Sequence, residues 1–84
     1  MFQVYVLYAA SSKKIYIGFT SNLEQRILSH NVLGVKGWTI KYRPWEVIYT
    51  ETFEAKAAAM TREKELKTGK GREWIYQVLL KEKL

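Results

Sequence analysis

Cysteine is absent from the 84-residue sequence and histidine occurs once. The first absence removes disulfides, thiolate zinc sites and cysteine nucleophiles together; the second excludes a histidine-rich metal centre. Any metal must therefore be held by carboxylates. No stretch approaches the roughly 18 apolar residues of a membrane-spanning helix, and the N-terminus lacks the layout of a secretion signal. The expectation is a cytoplasmic protein with no membrane partner. Proline occurs once, as Pro44, and no internal repeat or low-complexity segment is present.

What is there fits one globular domain, residues 1–84. A hydrophobic fraction of 48% with 26% charged residues is ordinary for a folded chain, and a domain of this size removes about 60% of its unfolded surface from water. The formal net charge of +6 attracts polyanions and gives a first hint of nucleic acid.

The stretch from Val4 to Arg26 organises the chain. Two strand-like runs, Val4 to Tyr8 and Ile15 to Phe19, flank a polar turn from Ala9 to Lys14, as in an antiparallel hairpin with a longer loop. In the first run Phe2, Val4 and Val6 share one parity; in the second Ile15, Ile17 and Phe19 do. Tyr5 and Tyr16 then project from the opposite face of the sheet. The turn lysines, Lys13 and Lys14, are read as solvated. Ser21 precedes Glu24 at capping-box spacing, with Asn22 a second possible cap, and a helix from about Leu23 to Val32 follows. Arg26 and His30 fall within about 60° of Leu23 on that helix, at the border of its packing face. An arginine there is a snorkelling side chain or a functional one.

From Asn31 to Pro44 the periodicity stops. Lys36, Trp38, Lys41, Tyr42 and Arg43 alternate basic with aromatic side chains, which suits either a loop along a nucleic-acid backbone or a surface loop with a tucked tryptophan. Trp45 to Thr50 reads as the third strand, and a second helix runs from about Ala55 to Lys67, with Gly69 as its stop. Glu63 lies on the small apolar stripe of that helix with Ala59 and Leu66, while Glu65 points outward. An acid on a packing face has either an ion-pair partner or a chemical task. After a turn from Thr68 to Gly71, the last helix spans Arg72 to about Lys81, with Trp74, Ile75, Val78 and Leu79 as its buried face.

These residues together resemble the GIY-YIG nuclease superfamily, in its small single-domain bacterial branch. The first motif is degenerate, Gln3-Val4-Tyr5, and the second is intact, Tyr16-Ile17-Gly18. The spacings from Tyr5 to Tyr16, Arg26 and His30 match the superfamily, and the segment from Thr61 to Trp74 is similar to that branch. The resemblance implies an α/β fold, a small three-stranded antiparallel sheet flanked by about three helices. It also implies a metal-dependent endonuclease or nicking enzyme acting on DNA with low sequence preference, RNA remaining open as a substrate and a partner protein being one way to target it. The alternative is a non-catalytic or partner-dependent nucleic-acid-binding module of the same fold.

Carried over by position, Tyr5 would be the general base or a proton relay, and Tyr16 would hold the attacking water. Arg26 would neutralise the scissile phosphate, His30 would assist Tyr5, and Glu63 would be the sole protein ligand of one Mg2+ or Mn2+ ion. Gly18 would allow the substrate backbone or a neighbouring helix to approach; Lys36, Trp38, Lys41 and Arg43 would contact nucleic acid. The residue types suit the chemistry. Magnesium keeps most of its waters and takes one or two carboxylates, and arginine offers a planar fork to phosphate oxygens. Free tyrosine titrates near pH 10, so Tyr5 must either be brought down by its neighbours or act by relay. Several members carry an asparagine where this chain has Ile75, and characterised members usually owe target choice to an attached DNA-binding domain.

Overall fold

The structure, a computed structural model, describes residues 1–33 and 38–81, with Leu33 and Trp38 described by their backbone alone. Three strands, β1 (Phe2–Ala9), β2 (Lys14–Thr20) and β3 (Glu46–Phe53), form an antiparallel sheet in the order β2-β1-β3. Its helices are α1 (Leu23–Leu28), α2 (Lys56–Lys67) and α3 (Gly69–Trp74). The hairpin pairs Tyr5 with Gly18 and Leu7 with Tyr16.

The central strand is buried on both faces from Val4 to Ala9, which follows from helices or loops covering each side. On one side Val4, Val6, Tyr8, Ile15 and Ile17 pack against Ala59, Leu66, Ile75 and Leu80 from the C-terminal helices. On the other, Tyr5, Leu7, Ala9 and Trp45 are joined by Tyr16, Leu23, Ile27 and Tyr42. The tyrosine parity read from the sequence therefore separates two distinct cores. A bulge between Val6 and Leu7 shifts the register, so that Val6 faces Tyr49 and Leu7 faces Val47. A charged network ties α2 to β3: Arg62 Nε donates to both Glu51 oxygens, at 3.1 and 2.9 Å, and Tyr49 Oη donates to Glu51 at 2.6 Å.

Several boundaries differ from the sequence reading for identifiable reasons. The cap of α1 is Asn22, whose Oδ1 accepts from Gln25 N at 3.1 Å, not Ser21. The helix then widens into a π-type turn, Ser29–Leu33. Gly69 does not stop α2. Thr68 does, in an extended conformation, and its Oγ1 accepts from Gly71 N at 3.2 Å, so the expected turn is the cap and first residues of α3. Val78, expected in the buried face, is 58% exposed, because α3 continues as a π-type turn, Ile75–Leu79, that buries Ile75 and leads to a buried Leu80.

Gly71 makes the sharp α2–α3 junction possible: a Cβ there would press on Glu65 O and stand 2.5 Å from Leu66 Cα. Backbone cannot yield as a flexible side chain does. Gly71→Ala is expected to cost about 1–3 kcal/mol by overpacking, seen as a drop in Tm of roughly 4–8 °C per kcal/mol. An unchanged Tm would remove this account of the junction.

Candidate active site

The hairpin and the turn after α1 bring Tyr5, Tyr16 and His30 into contact, with Arg26 and Glu63 near enough for their charges to act on Tyr5. Tyr5 is fully buried, and its Oη lies 3.1 Å from His30 Nε2. Tyr16 stacks on Tyr5 with ring centroids 6.2 Å apart and meets the His30 ring at 4.7 Å. Arg26, exposed one turn before His30, lies close enough to Tyr5 and Tyr16 for its charge to act on both phenols. Glu63 stands close enough that its charge acts on Tyr5. Its carboxylate is 17% exposed and pairs with Lys67 Nζ at 3.5 Å, one turn along α2.

The role of Gly18 differs from the expected one. A Cβ there would stand 2.6 Å from Tyr5 Oη, 2.8 Å from Tyr5 Cζ and 3.1 Å from Tyr16 Cε1. The missing side chain makes room for the two tyrosines of this protein, since Gly18 is the cross-strand partner of Tyr5. Arg43, expected on nucleic acid, turns inward: its Nε donates to His30 O at 2.6 Å and its Nη2 to Ser29 O at 3.3 Å. Those carbonyls belong to the widened turn after α1, where the regular ladder is interrupted. Lys41 is exposed on a short 3₁₀ turn, Trp38–Tyr42. Lys36 and the Trp38 side chain lie outside the described residues.

Sequence reasoning missed the support of His30. Thr39 Oγ1 lies 3.0 Å from His30 Nδ1, and Thr39 O accepts from Trp45 Nε1 at 2.8 Å. Asn31 exchanges two hydrogen bonds with the Trp45 backbone, at 2.6 and 3.0 Å. The basic and aromatic loop thus closes on the site through a threonine and an asparagine, residue types that carry no charge pattern to notice.

Electrostatics sharpen the roles. Burial raises the Tyr5 pKa above its ordinary 10.0; the Arg26 hydrogen bond opposes that shift, and Tyr16 and Glu63 add to it. Tyr5 is accordingly a neutral phenol at pH 7. Burial, then the charges of Arg26 and Arg43, lower the His30 pKa below 6.5, so His30 is neutral too. A neutral His30 carries one ring proton; with Tyr5 Oη at Nε2 and Thr39 Oγ1 at Nδ1, we assign the phenol proton to Nε2 and the Nδ1 proton to Thr39 Oγ1. As the pH falls, the unfolded chain binds the histidine proton first. Stability is therefore expected to decline below about pH 6.5 and to be unaffected by this group above it. Urea titrations across that window, with His30→Asn as reference, check it; equal pH slopes for the two proteins would contradict it.

Among the described residues no three histidine or carboxylate side chains gather as a metal site. A single inward carboxylate nonetheless fits a magnesium-type ion, which takes one or two protein carboxylates and fills its other positions with water and phosphate oxygens. Glu63 is the acid whose charge reaches Tyr5.

This arrangement, two hairpin tyrosines, a helical arginine and histidine, and a glutamate on a later helix, carries the family signature. Residues 1–77 match the GIY-YIG catalytic domain, and the chain belongs to that family of nucleases. Its relatives include a UPF0213 protein of Natronomonas pharaonis, 40% identical over 65 residues, 77% of this chain and 75% of the relative. Another, from Staphylococcus haemolyticus, is 38% identical over 77% of this chain and 78% of the relative. Such relatives occur in archaea as well as bacteria, a wider range than the bacterial branch expected. The solution NMR structure of a UPF0213 protein from Bacillus halodurans superposes with a TM-score of 0.54 at 26% identity, covering 93% of this chain and 85% of that one. The α/β fold with a three-stranded antiparallel sheet and three helices agrees with that structure. Among the described residues no helix is long and apolar enough to cross a membrane.

Proposed function

We propose that the domain is a divalent-metal-dependent endonuclease that nicks DNA with little sequence preference. The observation that carries this reading is the Tyr5–His30 contact of 3.1 Å, with the Arg26 charge acting on both tyrosines beside it. Tyr16 positions a water near Tyr5. As the water oxygen bonds to phosphorus and the bond from phosphorus to the leaving oxygen breaks, the water proton passes to Tyr5 Oη and the phenol proton to His30 Nε2, while the leaving oxygen takes its proton from solvent. Both groups are neutral at pH 7, so a relay suits them better than a preformed phenolate. Arg26 is aimed at the charge that builds on the phosphate. A Mg2+ or Mn2+ ion held by Glu63 would supply Lewis-acid stabilisation of the phosphate and the leaving oxygen.

The test is conversion of supercoiled plasmid by purified protein with Mg2+ or Mn2+. Nicked circles that disappear with a chelator are expected; no nicking with either metal would sink the reading. One observation favours the binding-module alternative, namely that Lys67 occupies the Glu63 carboxylate. Salt-dependent DNA binding without cleavage would decide for it.

A further inference from the structure

An open cleft of about 650 Å³ lies between β2 and the α2–α3 junction, lined by Lys14, Tyr16, Lys67, Arg72 and Tyr76 together with Ile15 and Ile17 of β2. Its lining includes three cations and no acid. It is continuous with the candidate active site, because Tyr16 belongs to both and Lys67 holds Glu63. β2 is an edge strand, so no further strand closes the cleft on that side. Arg72 is anchored by its Nε, which donates to Lys67 O at 3.2 Å, and its Nη groups have no other hydrogen bond among the described residues. Lys14 Nζ is steadied 5.7 Å from the Tyr42 ring.

Building on the nuclease reading, we propose that this cleft carries the backbone of the scissile DNA strand next to the cleaved phosphate. Lys14 and Arg72 bind its flanking phosphates from opposite walls, while the Tyr16 and Tyr76 rings border the nucleotides between. Cations beside half-buried rings suit a polynucleotide strand, whose phosphates take the charges and whose bases or sugars take the ring surface. The proposed substrate-contacting surface thereby includes the hairpin edge and the start of α3.

The test measures binding in EDTA, where cleavage does not interfere, by anisotropy of a short labelled DNA duplex over a range of KCl concentrations. Wild-type protein is compared with Lys14→Gln/Arg72→Gln and with a charge-matched pair, Lys56→Gln/Lys64→Gln, at exposed positions of α2 outside the cleft. All four side chains are exposed, so both variants should fold. The cleft pair is expected to lower the slope of log K against log salt by roughly 1.8, two contacts at about 0.9 each; the control pair should change it much less. Equal slopes for the two pairs, in a protein that binds and nicks DNA, would overturn the cleft assignment and leave the nuclease reading standing. Neither binding nor nicking by wild-type protein would overturn both.

Discussion

Tyr5→Phe is expected to slow metal-dependent nicking by about 10²–10⁴-fold, the usual contribution of a positioned proton-transfer group. The substitution leaves the ring in its place among Leu7, Ala9 and Trp45 and removes only the hydroxyl. Water then has no acceptor leading to His30 Nε2. The expected folding cost is about 1 kcal/mol for the lost hydrogen bond. A large kinetic effect with a small shift in Tm separates chemistry from unfolding. Single-turnover nicking rates and thermal unfolding of the same preparations give both quantities. A Tyr5→Phe protein that nicks at the wild-type rate would remove Tyr5 from the mechanism.

Glu63→Gln is expected to abolish metal-dependent cleavage, by at least about 10²-fold, since a metal contributes several kcal/mol at the transition state. The amide keeps the shape of the side chain and its place on α2 but lacks the charge that holds a hard cation. Stability should hardly change: the Glu63–Lys67 pair is partly exposed, and such pairs contribute about 0–1 kcal/mol. Excess Mn2+ should restore little activity, because Glu63 is the one carboxylate among the described residues whose charge acts on Tyr5. Titration of activity against metal concentration checks this. A variant that merely needs more metal to reach the wild-type rate would show that Glu63 assists binding from outside the coordination sphere.

The hairpin and its face assignment were legible because strand parity is a period-two signal, and Tyr5 and Tyr16 stand out of phase with the aliphatic residues. The half-buried position of Glu63 was legible from the helical wheel, whose period of 3.6 residues puts it beside Ala59 and Leu66. Less visible were the features set by close tertiary approach. Gly18 reads from sequence as a permissive residue, yet its function in the fold depends on where the Tyr5 phenol lies across the strand. Gly69 and Gly71 look alike as helix breakers, but only Gly71 has backbone against it, and α3 begins at Gly69. Arg43 followed a charge pattern that suggested phosphates, while the widened turn after α1 left two carbonyls nearer to it. Thr39 was invisible because its importance lies in a contact with His30 Nδ1 across the loop.

The most direct test of the five-residue site is a plasmid assay with wild-type protein and Tyr5→Phe/Glu63→Gln, purified identically and supplied with Mg2+ or Mn2+. The arrangement of Tyr5, Tyr16, Arg26, His30 and Glu63 predicts nicked circles from wild-type protein and intact supercoiled plasmid from the double variant, with both proteins folded. Equal nicking by the two would contradict it.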